Sequence, residues 1–525
     1  MATTTNIVNL DALIQREDLA APEEAAEDIQ AMPITGLEPK GLLYPTLRKP
    51  DFQRETSNWS PEQVADLIGT FTRRDLIPAI ILWRSGKYVF VIDGAHRLSA
   101  LIAWVHDDYG DGDRSRKFFQ GSIPDEQARA ADRVRTLVND SIGSYGEHKT
   151  ALEFPNSAKP EVAARAARLG WHNIPVQWIV NADHEKAEKA FFRINQGGTK
   201  IDATEQRILN ARDSATALAA RAILRGGTGH RYWKKFSVEQ HAKIEVLGKE
   251  IFQLLFEPTL QLPIKTLDVP MAGPGYGPHV LPFLFDLVNL TNKVAVADSS
   301  NKRIKGDEGL NTDTDGNATI NYLSETRRAL WRLCSTNPSS LGLHPALYFY
   351  SPSGAFQAGA LLSFVALFKE WDTQEFRNFI SVRKEFEDFL LANRGITEAV
   401  RKLGSGSRSR PRLISLYRRI IDDLLGGKTR QEIAAALASD EEFQFMVAAP
   451  ALPIPPPPGK FSRDVKGAAF VRDALPTASR CPTCGGIMHR NGMQAGHREA
   501  HRDGGSGTVA NAMMQHPFCN STVAN

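Results

Sequence analysis

The chain has 525 residues and a formal net charge of +3, with 42% hydrophobic and 23% charged residues. A chain of that length makes about two to four domains, each able to bury a core. So small a net charge gives no whole-molecule basic character that would demand nucleic acid. No N-terminal apolar segment and no run of eighteen apolar residues occurs, so a soluble, non-secreted protein is expected. There are four cysteines, three of them close together near the C-terminus. That usage suits metal binding in a reducing cytoplasm better than a disulfide framework.

Residues 1–32 are Ala-rich and acidic, with seven Asp/Glu against Arg16 alone. A disordered leader is expected there. The first ordered unit is expected over 33–210. Ser60-Pro61-Glu62-Gln63 reads as a helix start: Ser at the N-cap, Pro at the first position, Gln where a capping box needs it. Val64, Leu67, Ile68 and Phe71 follow on one face. Residues 79–83 and 88–92 read as strands turned at Ser85-Gly86. Asp93-Gly94-Ala95-His96-Arg97 then leads into a helical run.

That strand–turn–helix junction is a candidate phosphate site. A helix N-terminus offers unpaired N–H groups and the positive end of the dipole. Gly94 allows close backbone approach, Arg97 can fork onto phosphate oxygens, and Asp93 can carry a metal or receive a proton.

The stretch from Tyr88 to Leu98 resembles the Asp-Gly-Gln-Gln/His-Arg signature of the ParB-like domain of GmrSD-type restriction proteins and SspE-type phage-defence nucleases. Phe52-Gln53-Arg54 with Trp59 is similar to that family's upstream element. Phe191-Phe192-Arg193-Ile194-Asn195-Gln196-Gly197-Gly198-Thr199 is similar to its downstream block. The resemblance implies binding and hydrolysis of a nucleoside triphosphate coupled to DNA restriction, with Gln53, Arg54, Asp93, Gly94, His96 and Arg97 as the residues that carry over. Ala95 departs from the family's Gln, which leaves the choice of nucleotide open.

Residues 211–448 read as a mainly helical domain, with apolar faces at helical spacing over 215–224, 246–256, 281–294, 322–333, 355–371, 374–393, 411–425 and 430–437. Asn311, Asp313, Asp315 and Gly316 mimic the start of a calcium loop, but Tyr322 stands at the twelfth position, so calcium is rejected. Seven basic residues and no acidic one fall between Arg401 and Arg419, a candidate phosphate-contacting surface. Residues 449–459 are a proline-rich linker, with six prolines between Pro450 and Pro458. It is expected to be stiff and to hold the last domain away from the helical body.

The last domain, 460–525, carries an excess of basic residues, eight Lys/Arg against four Asp/Glu. Cys481-Pro-Thr-Cys484 and His516-Pro-Phe-Cys519 share a two-residue gap that lets both side chains of each pair reach one ion. Three thiolates and one imidazole would fill a tetrahedral structural zinc site. A segment this short has too small a core to fold well without such a staple.

Between the pairs lie His497, Gly504-Gly505 and Asn511, and Asn520 follows the last ligand. This order resembles the H-N-H (ββα-metal) endonuclease family. The resemblance implies that His497 is the general base that activates water, that Asn511 orients it through the backbone, and that Asn520 holds a catalytic divalent metal, Mg2+ or Mn2+, against the scissile phosphate. Gly496 stands where the family commonly has Asp or Glu as a second metal ligand; His501 and Asp503 are nearby substitutes.

The expected fold is thus an α+β multidomain chain: a ParB-like α/β N-terminal domain, a mainly helical middle and a small zinc-stabilised ββα-metal C-terminal domain. The expected function is a cytoplasmic, nucleotide-regulated endonuclease that nicks or cleaves double-stranded DNA in anti-phage restriction and senses DNA modification. No membrane partner is expected, and a homo-oligomer is compatible with the sequence. The alternative is a nucleotide-dependent DNA-binding regulator or partition-like factor whose zinc ribbon does no chemistry.

Overall fold

The computed structural model describes residues 7–15, 30–50, 59–119, 123, 125–169, 171–180, 182, 184–197, 203–228, 232–233, 235–275, 277, 279–294, 310–396, 406–443 and 461–523. The chain forms two compact units, one built mainly of residues 1–213 and the other mainly of residues 236–275 and 283–525.

The first unit is organised on a mixed five-stranded sheet. Its strands are β1 (Ala31–Pro33), β2 (Leu47–Arg48), β3 (Ile80–Ser85), β4 (Tyr88–Asp93) and β5 (Asn173–Trp178), in the order β1-β5-β3-β4-β2. β3 and β4 are an antiparallel hairpin turned at Gly86, whose φ of +56° suits a residue without a Cβ. β3 also pairs with β5 in parallel, so the hairpin is central.

Both faces of the hairpin are buried. Ile80, Leu82, Val89 and Val91 face one cluster, with Leu98, Leu101 and Trp104. Trp83, Phe90 and Ile92 face the other, with Phe191 and Leu209. This explains why the strands read as nearly continuous apolar runs without polar alternation. Helix α1 (Pro61–Arg73) starts at a complete Ser60/Gln63 capping box and buries Val64, Ile68 and Phe71. Helix α2 (Ala95–His106) leaves the end of β4 through Gly94, at φ +85°.

Within the segment expected as a disordered leader, residues 7–15 and 30–32 are described, and they are ordered. Val8, Leu10, Leu13 and Ile14 are each 2% exposed or less and belong to the first core, and Met32 on β1 is fully buried. Buried Asp11 pairs with buried Lys49. The acidic composition of this segment masks a short apolar run that joins the first core.

The second unit is helical. Ala215–Leu224, Val238–Phe256 and Asn317–Leu333 pack on one another. They come close at Gly248, where a Cβ would lie 2.7 Å from the carbonyl oxygen of Ala222. Ala358–Glu370, Thr373–Ala392 and Gly406–Leu425 form a second group around stacked Phe364 and Tyr417, 4.4 Å apart. Asp313, excluded by its sequence context as a calcium ligand, caps Asn317–Leu333 by accepting from Gly316, Thr319 and the Thr319 hydroxyl.

The second unit also contains the C-terminal segment: helix Arg463–Ala474 and the antiparallel hairpin of β6 (Gln494–His497) and β7 (Ala512–Gln515). The linker expected over 449–459 lies outside the described residues. The expectation that the C-terminal segment stands apart from the helical body is corrected, because its turns bond directly to the long helix Thr373–Ala392. Among the described residues no helix is long and apolar enough to cross a membrane.

Candidate metal centre and hairpin site

Cys481, Cys484, His516 and Cys519 converge, with one ligand atom of each within 4.8 Å of the others, and all four are buried. Every cysteine of the chain is free, so the spacing does not mark a disulfide. The Cys481 carbonyl accepts from Gly485, at φ +68°, and the Cys481 N–H donates to Gly486, which folds the two sulfurs to one side.

His516 Nδ1 lies 3.3 Å from Cys484 Sγ, and its Nε2 lies 3.2 Å from the Ile487 carbonyl oxygen. The carbonyl can only accept, so Nε2 carries the proton and Nδ1 is the ligand nitrogen. Hydrogen bonds from Cys484 and Cys519 draw the Cys481 thiol well below its ordinary range. The donor set, its burial and its convergence fit a structural zinc ion.

The long helix Thr373–Ala392 supports this cluster. Arg383, fully buried, lies with Nη1 3.2 Å from His516 Nδ1, and its Nε donates to Glu387 at 2.7 Å. It also donates to the Leu341 and Gly342 carbonyls. Burial works against its charge, but Glu387 and Cys484 more than offset that and hold the guanidinium above its ordinary range. Glu387 accepts from the Tyr348 hydroxyl and from the Ile487 N–H. Arg480, beside the first ligand, pairs with Asp388 at 2.7 Å. Arg383, Glu387 and Asp388 read in the sequence as ordinary charged helix positions, and Arg480 as one of the basic residues of a candidate phosphate-contacting surface.

The hairpin stands next to the cluster. His497 pairs with Ala512, and Gly496 with Met513. One face carries Ala495, His497, Ala512 and Met514, all exposed; the other turns Gly496 and Gln515 inward. Asn511 clamps the loop that follows His497: its Oδ1 accepts from the Glu499 N–H at 2.8 Å, and its Nδ2 donates to the Glu499 carbonyl at 3.0 Å and to the Ser506 carbonyl at 2.8 Å. Its own carbonyl accepts from the Arg498 N–H. Gly504 takes φ +93°, and a Cβ on Gly505 would lie 1.8 Å from the Glu499 carbonyl oxygen, so this pair has to be glycine for the loop to close.

Asn520 lies on the inner face. Its Oδ1 accepts from Gln515 Nε2 at 2.8 Å, and Gln515 Oε1 accepts from the Thr483 hydroxyl at 2.8 Å. A Cβ on Gly496 would lie 2.1 Å from Gln515 Nε2 and 2.4 Å from Asn520 Oδ1. The departure at Gly496 therefore has a steric cause: the two amides fill the space that a side chain would need. The structure brings Asn520, Gln515 and Gly496 together and sets His497 on the opposite, solvent-facing side of the strand. Among the described residues His501 and Asp503 join no second convergent group of three His, Cys, Asp or Glu side chains.

In the first unit, Arg97 Nη2 donates to Asp93 Oδ2 at 2.9 Å and to the Ala79 carbonyl at 3.2 Å. Arg97 Nε is buried with no hydrogen-bond partner among the described residues. His96 stacks on Trp59, with centroids 5.6 Å apart. A Cβ on Gly94 would strike Ile80 at 2.6 Å and the Arg97 guanidinium at 2.9 Å, so this glycine is required by packing as well as by its φ. Asp93, Gly94, His96 and Arg97 thus share the start of α2, while Gln53 and Arg54 lie outside the described residues.

No curated protein and no solved structure matches the chain. The family model of the GmrSD restriction endonuclease N-terminal domain matches residues 39–212. That span holds the hairpin, the Asp93–Arg97 junction, the second core and most of the first. Residues 39–212 are therefore similar to the N-terminal domain of the GmrSD restriction endonucleases.

Proposed function

We propose that this protein is a nucleotide-regulated DNA endonuclease acting in restriction, with cleavage at the C-terminal hairpin and control at the start of α2. The observation that carries this reading is the clamp of Asn511 on the loop directly after exposed His497, in a hairpin anchored beside a buried Cys3His cluster. Three features of one nuclease family then occur in one small piece of structure, on a chain whose N-terminal domain is of restriction type.

The chemistry follows from placement. Exposed His497 takes a proton from water as the water oxygen bonds to phosphorus and the bond from phosphorus to the leaving oxygen breaks. In an in-line displacement the entering and leaving oxygens lie on opposite sides of phosphorus. His497 and Asn520 lie on opposite faces of β6, so cleavage by this route requires a phosphodiester at the strand end to reach past Gly496 to both. Asn520 Oδ1 accepts one hydrogen bond and keeps a second lone pair, which suits one ligand position on a hard cation. Mg2+ or Mn2+ bound there would supply charge stabilisation at the leaving oxygen. Asn511 keeps the strand end in register, and the zinc cluster fixes the base of the hairpin.

In the first unit, the backbone N–H groups at the start of α2 and the Arg97 guanidinium are a donor set for the phosphates of a nucleoside triphosphate. Binding or turnover there gates cleavage, so that the nuclease acts on invading, double-stranded DNA and spares the host's own. A second reading, a DNA-binding regulator with an inert zinc ribbon, is favoured by Gly496, which supplies no ligand. Plasmid nicking with Mg2+ or Mn2+ and each triphosphate in turn separates them: the nuclease nicks, and the regulator does not under any condition.

A further inference from the structure

We propose that Gln515 is the positioning residue of the cleavage centre, tying Asn520 to the zinc knuckle and holding its amide in one orientation. This inference rests on the nuclease reading above.

Gln515 is fully buried, although a neutral amide gains little from burial unless both of its ends are bonded. Both are. Oε1 accepts from the hydroxyl of Thr483, which lies between the first two zinc ligands, and Nε2 donates to Asn520 Oδ1. The relay runs from the knuckle loop through β7 to the residue that follows Cys519. Asn520 itself is anchored by its backbone N–H, which donates to the His516 carbonyl at 3.0 Å.

The backbone bond places the Asn520 Cα, and among the described residues Gln515 is the side chain that fixes which end of the amide faces it. The Gln515 N–H calls for an oxygen, so Oδ1 sits at a set position with one lone pair left. Without Gln515 that amide rotates freely and the oxygen is correctly placed only part of the time. Gln515 and Asn520 together fill the space over Gly496.

The test uses the full-length chain. Gln515→Met keeps the length and apolar packing of the side chain and removes both hydrogen bonds. Thr483→Val removes only the far end of the relay. We expect Gln515→Met to retain its zinc and its melting temperature, and to bind plasmid DNA with an unchanged KM. Its turnover should fall about ten- to a hundredfold, the usual cost of losing an outer-shell partner. The Mn2+ concentration for half-maximal nicking should rise by a similar factor, and Thr483→Val should shift it in the same direction by less.

Electron paramagnetic resonance of Mn2+ gives a readout free of turnover. On a His497→Ala background with intact duplex, Gln515→Met should weaken Mn2+ binding about tenfold or more. If the wild type nicks, His497→Ala does not, and Gln515→Met matches the wild type in turnover and Mn2+ dependence, the positioning role is overturned while the nuclease reading stands. If the wild type fails to nick under any condition, both are overturned. A Gln515→Met chain that loses its zinc would show a structural role instead and would also overturn the inference.

Discussion

Asn511 and Glu499 hold one another by two opposed hydrogen bonds, the Glu499 N–H to Asn511 Oδ1 at 2.8 Å and Asn511 Nδ2 to the Glu499 carbonyl at 3.0 Å. A side chain here does what a third strand would do for the backbone beyond His497. Asn511→Ala removes both bonds and the one to Ser506. Loosening the strand end by about 1 Å costs on the order of a hundredfold in rate. Asn511→Ala should therefore lower nicking by about that factor while zinc content is unchanged. Asn511→Asp keeps the acceptor and loses the donors, so its loss should be smaller. Steady-state nicking rates beside zinc analysis check both.

The zinc cluster and the long helix should unfold together. Glu387 accepts from Ile487 within the knuckle, and Arg480 pairs with Asp388. Cys481→Ser, or a chelator, should raise hydrogen exchange across residues 480–523 and also in the helix around 383–388. Exchange confined to 480–523 would mean that the helix stands without the knuckle. Thiolate ligands must shed protons to bind, so the same transition should be easier to produce at lower pH.

Arg383 is costly to remove from this arrangement. Its partner Glu387 is as fully buried as it is. Arg383→Met leaves an uncompensated buried carboxylate, and breaking a buried pair in this way costs about 3–5 kcal/mol. Urea unfolding should show that loss, and Arg383→Met with Glu387→Leu should recover part of it. A single variant as stable as the wild type would mean that the carboxylate finds another partner or a proton.

In the first unit, Asp93 and Arg97 bond to each other across the start of α2. Asp93→Ala and Arg97→Ala should each lower triphosphate hydrolysis about a hundredfold or more, the usual scale for losing a group that stabilises developing charge. Zinc content should not change. Hydrolysis at the wild-type rate in both variants would remove the pair from the mechanism.

The parts of the fold that were legible in the sequence are those decided locally. The Ser60 cap, the strands around Gly86 and the zinc ligand spacing depend on neighbours a few residues away, and each leaves a direct mark on the chain. The packed leader was missed because Val8, Leu10, Leu13 and Ile14 gain their place only from a sheet formed far along the sequence. The supports at Arg383, Glu387 and Gln515 were missed for the same reason: each becomes a structural element only when residues distant in sequence, or the two sides of a hairpin, are brought together. Gly496 looked like a missing ligand, but its glycine follows from the amides above it, which no spacing rule reveals.

Cleavage by this route depends on His497 aiming a water at a DNA backbone. The most direct measurement is plasmid nicking by the full-length chain with Mg2+ or Mn2+ and a nucleoside triphosphate, beside His497→Ala at matched zinc content and DNA affinity. The wild type should nick, and the variant should lose about a hundredfold or more, the scale of a lost general base. Equal nicking by both, or none by either, would contradict it.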